Sequence, residues 1–318
     1  IRADGSSKFT KGNRWGYFPA AAFAWRIIEE PFMEPVKEFM SNLKLRLSYG
    51  TAGNNRIGNS LYETSYKAYS SGKYYGAGGE QNPHYTLNNE QLANPDLKWE
   101  TTITRNIGLD FGFFNERLTG NIDYYWNTVK DLLIEQSITA IGYKTMQQNI
   151  GQTSNRGVEL TLNAAILQKK DYSFNFNIGF NKNKVDKLAN GISSMSYNSG
   201  AFSSDMRGRD DYRVIVGEPL GIVWGYVYDG VYGVDDFVTY TDENGKTQFQ
   251  FDKSGNYILK EGVTDNTYTT ASSYGGLRPG AMKLKDQDGD HKITEKGDRV
   301  IIGRTQPKFT GGFGLSGN

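Results

Sequence analysis

Asn106–Asn127 reads NIGLDFGFFNERLTGNIDYYWN. Ile107, Leu109, Phe111 and Phe113 alternate with Asn106, Gly108, Asp110 and Gly112. A tight break follows at Asn115-Glu116-Arg117, and the alternation restarts. Leu118, Ile122, Tyr124 and Trp126 then fall on one face, and Thr119, Asn121, Asp123, Tyr125 and Asn127 on the other. A period of two is the signature of a β-strand, whose successive side chains point to opposite faces. The stretch therefore reads as a hairpin with one apolar, aromatic-tipped face and one face of amides, carboxylates and glycine. Two environments suit such a ribbon. In a soluble sandwich the apolar face is core; in an outer-membrane barrel it meets lipid while the polar face lines a wet lumen.

Outward from this hairpin the same pattern recurs. Leu43, Leu45, Leu47 and Tyr49 alternate with Lys44, Arg46 and Ser48. Val158, Leu160, Leu162 and Ala164 alternate with Glu159, Thr161 and Asn163. The cleanest case is Tyr172, Phe174, Phe176, Ile178 and Phe180 against Ser173, Asn175, Asn177, Gly179 and Asn181. Trp15–Ile27 reads as a less regular strand, interrupted by Pro19, and Glu29–Asn42 has the spacing of a short helix with Phe32, Val36, Phe39 and Met40 on one side. Ile1–Arg14 is polar and turn-rich, Ile222–Tyr232 is a short β-like piece, and Phe309–Leu315 begins another strand pattern.

The connections separate the two environments. Glu29–Asn42, Asn115–Arg117 and Leu167–Asp171 are short; Thr51–Leu97, Lys130–Asn155 and Val185–Pro307 are long, and the two kinds alternate. In an up-and-down meander, alternate connections lie at the same end of the sheet. All long loops then fall at one end and all short turns at the other, the asymmetry of outer-membrane barrels. A soluble sandwich has no reason to sort its loops, and long structureless loops are uncommon in compact domains. Phe113, Phe114, Tyr124 and Trp126 stand near strand ends, where membrane barrels carry aromatic girdles.

Composition agrees. Apolar residues make up 37% of the 318 residues, aromatics 14%, and there are 38 glycines. No run approaches the roughly 20 apolar residues of a membrane helix, which leaves barrel strands untouched. The net charge of +1 offers no basic stripe for nucleic acid. The absence of cysteine removes disulfides and thiolate metal sites. The sequence opens at Ile1 without a signal peptide and stops just after a strand pattern has begun, so it is expected to be a portion of something longer.

A series of stretches resembles a known family: ADGSSKF (Ala3–Phe9), GYFPAAAFAWRIIEE (Gly16–Glu30), LKLRLSYGTAGNN (Leu43–Asn55), NPDLKWETT (Asn94–Thr102), NRGVEL (Asn155–Leu160), GEPLGIVWGY (Gly217–Tyr226), the acidic loop Asp286–Asp298 and IIGRTQPKFTGGF (Ile301–Phe313). In this order they resemble SusC/RagA-type TonB-dependent transporters of the Bacteroidetes outer membrane. The resemblance implies an all-β fold, a fragment of an antiparallel transmembrane β-barrel of about 22 strands filled by an N-terminal plug. Residues 1–318 would be a partial barrel domain lacking plug and barrel ends, with 185–307 as a long extracellular loop region. It also implies TonB-driven import of an oligosaccharide or peptide. The expected partners are TonB, through a region outside this chain, a SusD-like surface lipoprotein, and outer-membrane lipid.

Asp286, Asp288 and Asp290 stand at the first, third and fifth positions of a calcium-loop pattern, and Lys292 offers its carbonyl at the seventh. His291 occupies the sixth position, where the tight turn wants glycine, and Gly297 the twelfth, so the closing acid would be Glu295 or Asp298. A calcium ion here would brace an external loop and do no chemistry; the alternative is a solvated Asp/Gly turn. No other cofactor is implied.

Other residues are weaker signals. Tyr62, Tyr66, Tyr69, Tyr74, Tyr75 and Tyr85 sit among Ser and Gly; Tyr66, Tyr69, Tyr74 and Tyr75 are candidates for contact with a sugar or partner. Their bland reading is loop packing. His84 and His291 read as surface residues. Lys44, Arg46, Asp110, Asp123 and Glu159 are candidates for the lumen face. No nucleophile elbow, phosphate loop or metalloprotease helix is present, and no carboxylates pair for acid–base work, so a glycan-degrading enzyme has no support. The competing reading is a soluble β-rich binding or adhesion module with a calcium-braced loop.

Overall fold

The computed structural model describes residues 1–68, 74–75, 82–83, 85–87, 90–138, 142–167, 172–189, 191–197, 210–267 and 276–317. The contact pattern divides the chain into two compact units. One comprises Ile1–Ser194, Ile215–Leu220 and Pro307–Asn318, the other Met195–Val214 and Gly221–Gln306.

The first unit is built on one antiparallel sheet. Its strands are β1 (Ala20–Arg26), β2 (Met40–Asn54), β3 (Glu100–Phe113), β4 (Leu118–Lys130), β5 (Gln152–Leu167), β6 (Tyr172–Lys187) and β7 (Phe309–Ser316). Each pairs with its neighbours in chain order, so the sheet is a meander. Phe23, Leu47, Ile107, Tyr124, Val158, Phe180 and Phe309 stand opposite one another in register across all seven strands. All seven are exposed. The next row is Trp25, Leu45, Leu109, Ile122, Leu160 and Ile178. An apolar face this wide and this exposed is what lipid requires.

Aromatic rings mark both ends of that face. At the short-turn end Phe39 stacks on Phe113 at 6.4 Å, and Phe113 lies 5.8 Å from Phe111 and 6.3 Å from Phe114. At the long-loop end Tyr124 lies 5.5 Å from Trp126. Leu118 to Trp126 spans about 27 Å along the strand at a rise of ~3.4 Å, close to the ~25 Å apolar band of outer-membrane barrels before tilt is taken into account.

Several expectations change. Trp15–Ile27 is two strands: Trp15–Phe18 pairs with Arg2–Gly5, and only β1 joins the main sheet. Pro19 divides them; it has no N–H to give a ladder, and its carbonyl takes the Thr51 N–H and hydroxyl instead. Glu29–Asn42 is not an α-helix but two 3-10 turns, Ile27–Glu29 and Pro31–Val36. Pro35 sits inside the second turn, where an α-helix would need its amide. The hairpin turn holds Phe114, Asn115 and Glu116 at φ 55, 54 and 63°, three left-handed residues in succession. It closes by bonds from the Phe114 N–H to Phe39 O at 2.8 Å and from the Glu116 N–H to Ser41 Oγ at 3.1 Å.

Nor are the long connections structureless. Leu133–Ser137 and Thr145–Asn149 form a hairpin inside 130–155. Phe9, Phe18 and Leu97 are buried around Trp99, whose ring lies 5.5 Å from Phe9 and 5.6 Å from Phe18. Two of the family-like stretches, Ala3–Phe9 and Asn94–Thr102, thus meet in one small core.

The second unit is folded as well. Ile222–Gly225 pairs with Val300–Arg304, and Tyr228–Val231 with Met282–Leu284. Tyr232, Phe237, Phe249 and Tyr257 form its aromatic core, with successive ring centroids 5.2–6.2 Å apart. Burial pushes the Tyr232 hydroxyl up to about 12, with Asp265 adding to the effect; it donates to Thr264 O. Among the described residues no helix is long and apolar enough to cross a membrane.

Candidate functional site

The reverse face of the main sheet carries the charges. Arg46, Gly108, Asp123, Glu159 and Gly179 form one row, and Lys44, Asp110, Asn121, Thr161, Asn177 and Gly312 the next. All five charged candidates, Lys44, Arg46, Asp110, Asp123 and Glu159, therefore share one face. Arg46 Nε donates to both Asp110 oxygens at 2.9 Å, and its Nη2 reaches Asp123 Oδ2 at 3.0 Å. Sequence spacing placed these three on one face but did not pair them.

Gly108 stands between Arg46 and Asp123 in this row. A Cβ there would lie 2.5 Å from Asp123 Oδ1 and 2.6 Å from Arg46 Nη2. Glycine at this register position lets the triad close over the strand. Asp110 and Asp123 are two carboxylates side by side, yet both are committed to a guanidinium that never gives up its proton. The arrangement is a cross-strand tie.

That tie predicts a loss on Arg46→Met. Asp110 and Asp123 would then lose the guanidinium that bonds both, leaving Lys44, in register opposite Asp110, as the cation of these two rows. Breaking a fully buried pair costs about 3–5 kcal/mol. Here the Arg46 side chain is 33% exposed and the carboxylates 26% and 17%, so we expect about 1–2 kcal/mol. A lowered urea midpoint for bilayer-inserted receptor, partly restored by adding D110N/D123N, would show it.

The second unit holds the acidic loop. The carboxylate oxygens of Asp286, Asp288 and Asp290 all lie within 4.8 Å of one another. The Asp286 oxygens accept the N–H of Gly289 at 2.7 Å and of His291 at 2.8 Å, and Asp290 accepts the Lys292 N–H at 2.7 Å. Asp298 is fully buried; its oxygens take the N–H of Gln287 at 2.8 Å and of Thr294 at 2.7 Å. Gly297 leaves room for Asp288, whose Oδ2 would lie 2.1 Å from a Cβ there. Partial desolvation, with Asp290, Asp298 and Asp286 adding, pushes the Asp288 carboxyl up. For Asp286 desolvation acts in the same sense, but the His291 and Gly289 N–H groups outweigh it and hold the carboxyl below the usual range.

His291 has φ +62°, the left-handed conformation a glycine would take at the sixth position. His291→Gly is accordingly expected to stabilise the loop by about 1 kcal/mol. Slower hydrogen exchange at the Ile293 amide, which bonds to Asp265 O at 2.8 Å, is the readout.

The tyrosine-rich loop is partly described. Tyr66–Ala68 pairs with Tyr85–Leu87, and Tyr74–Tyr75 with Asn82–Pro83. Tyr66 is exposed. Tyr69 and His84 lie outside the described residues.

With this geometry in place the chain was compared with known proteins. Residues 1–285 match the family described as TonB dependent receptor-like, beta-barrel. The chain belongs to the TonB-dependent receptor β-barrel family. TonB-dependent receptor P39 of Formosa agariphila is 33% identical over 98% of this chain and 29% of its own length. TonB-dependent receptor SusC of Bacteroides thetaiotaomicron is 36% identical over 82% of this chain and 25% of its own length. The chain thus spans under a third of the curated relatives it matches. In fold it resembles the RagAB peptide importer in its closed-closed state, with a TM-score of 0.69 at 23% identity over 98% of this chain and 29% of that one.

Membership settles the question the opening hairpin raised. A TonB-dependent receptor barrel lies in the outer membrane, its apolar face toward lipid and its polar face toward the lumen. The SusC/RagA resemblance read from the ordered motifs holds, and the soluble-module reading does not. These relatives are receptors rather than enzymes.

Proposed function

We propose that this chain is a stretch of barrel wall in a TonB-driven importer of an oligosaccharide or peptide, working with a SusD-like surface lipoprotein. The observation that carries the reading is the division of one seven-stranded meander into an apolar face and a charged, amide-rich face, with its long connections all at one end. A wall of this kind supplies a wet lumen for solute and plug, and folded external loops for a capturing partner. Relatedness to SusC and fold likeness to a peptide importer support it. Tyr66, Tyr69, Tyr74 and Tyr75 are the ring surfaces we would assign to substrate or lipoprotein contact. The test is deletion of the complete receptor gene with growth on defined glycans and peptides as carbon source. Loss of growth on one class, restored by the parent gene but not by a copy lacking the TonB-contacting segment, is expected. Undiminished growth on every glycan and peptide would sink the reading.

We further infer that Asp286, Asp288 and Asp290 hold a calcium ion, with the Lys292 carbonyl and Asp298, or Glu295 in its place, completing the shell. Three converging carboxylates fit a hard cation, and the Asp288 carboxyl is raised by desolvation, with the neighbouring Asp290, Asp298 and Asp286 adding to it. Because the Asp288 carboxyl is raised and the Asp286 carboxyl lowered, Asp288 protonates before Asp286 as pH falls, and calcium should be lost over that range. Calcium is expected to protect the loop from proteolysis at pH 7 and much less near pH 4. Protection unchanged by chelator, or by D288N/D290N, would refute the site.

A further inference from the structure

The lipid-facing side of the sheet ends in a band of cations. Two residues beyond the exposed apolar row, toward the long loops, Tyr49 stands opposite Arg105, Trp126 opposite Arg156, and Arg156 opposite Lys182. One step further, Ser154 stands opposite Lys184. Strand parity puts Arg105, Arg156, Lys182 and Lys184 on the face of Ile107, Val158 and Phe180, away from the Arg46 triad. Arg105 Nη1 reaches across to Trp126 O at 3.5 Å and Thr128 Oγ1 at 3.4 Å. Among the described residues, no ion pair is formed by Arg156, Lys182 or Lys184. Asp186, the acid beside them, is held by Ser154 Oγ at 3.0 Å and Gln152 Nε2 at 3.3 Å.

Like charges directly opposite on a sheet destabilise it, and Arg156 faces Lys182 in register. On the lumen face the arginine is matched by two acids; on this face the cations are left for something outside the chain. Their level identifies it. Trp126 belongs to the same row, and such rings sit at the headgroup level of a bilayer. Ile107, Tyr124, Trp126, Arg156, Lys182 and Lys184 line one cavity of about 520 Å³, together with the hydrogen-bonded Asp186.

We propose that Arg105, Arg156, Lys182 and Lys184 form a site for the phosphate of an anionic lipid of the outer leaflet, with Ile107, Tyr124 and Trp126 against the start of its acyl chains. The row lies in the interior strands β3–β6, so barrel closure leaves it facing lipid. A headgroup here would pin the wall at a fixed depth beneath the folded external loops.

The test uses the receptor with its complete barrel, in detergent micelles doped with lipopolysaccharide or with phosphatidylcholine, and measures retained lipid by native mass spectrometry. Parent receptor is expected to retain the anionic lipid and not the zwitterionic one. R156Q/K182Q/K184Q, once heat-modifiability on gels shows that it assembles, should bind about a hundredfold more weakly, at about fivefold per cation removed. K246Q/K253Q, which loses charge in the external loops, should retain lipid as the parent does. Equal retention by the triple variant, equal loss in the loop variant, or displacement of the lipid by millimolar inorganic phosphate would each overturn the assignment. If the triple variant fails to assemble, K182Q/K184Q alone is read by the same measurement, with about a twenty-fivefold weakening expected.

Discussion

In the complete receptor Phe176→Arg is expected to abolish outer-membrane assembly, while Asn177→Arg, one residue along, assembles normally. Phe176 stands between Leu162 and Phe313 on the apolar face, one row toward the short turns from the central row of Leu109, Ile122, Leu160 and Ile178. Arginine at mid-membrane on a barrel's lipid face costs about 2–4 kcal/mol. Asn177 stands between Thr161 and Gly312 on the lumen face, where water or plug meets it. A guanidinium there keeps its solvation and has Asn and Thr neighbours to bond. Heat-modifiability of the two variants on unboiled gels is the measurement. Equal tolerance would mean that neither face meets lipid, and failure of Asn177→Arg alone would mean that the faces have been assigned the wrong way round.

The contrast rests on period-two alternation, the feature most legible in the sequence. Strands β2 to β7 were each visible as alternating runs, because a membrane wall leaves no room for an irregular face. Even so, the runs understated strand length. β5 extends back to Gln152 and β6 on to Lys187, where apolar alternation has given way to Arg156, Lys182 and Lys184. Polarity there reads as loop; in space it is the strand leaving the hydrocarbon. The same blindness hid the outward basic band, which only extended parity through those polar residues could have found.

Other misses have local causes. Phe32, Val36, Phe39 and Met40 have helical spacing, but Pro35 removes an amide that an α-helix would need, and Met40 already belongs to β2. Spacing alone ignores the missing donor. The core of Phe9, Phe18, Leu97 and Trp99 was not legible because its members come from segments about ninety residues apart. Within the candidate site, alternation gave the face of Arg46, Asp110 and Asp123 but not their partnership. That depends on register between β2, β3 and β4, which the turns set and composition does not encode.

Register also fixes the second large effect. Gly120→Val is expected to destabilise the barrel by about 1–3 kcal/mol, as overpacking does in a filled interior. Gly120 stands between Phe111 and Leu162 on the lipid face. A Cβ at Gly120 would lie 2.5 Å from Thr161 O, 2.7 Å from Phe111 Cζ and 2.9 Å from Leu162 Cδ2. The Phe111 ring could swing aside, but the Thr161 carbonyl belongs to the ladder and cannot, so β4 and β5 must part locally. Gly179→Ala is the control. It too lies in an interior strand, yet its Cβ would find only Glu159 Cγ at 3.5 Å and Thr310 Oγ1 at 3.8 Å, ordinary contacts. Removing glycine's excess freedom there should leave stability unchanged or raise it by up to about 1 kcal/mol. Urea titration of receptor folded into bilayers separates the pair. Adding Phe111→Ala to Gly120→Val should recover only part of the loss, since it clears the ring and leaves the carbonyl. Full recovery would place the whole clash on the ring, and an unchanged midpoint for Gly120→Val alone would mean that β4 and β5 are not in this register.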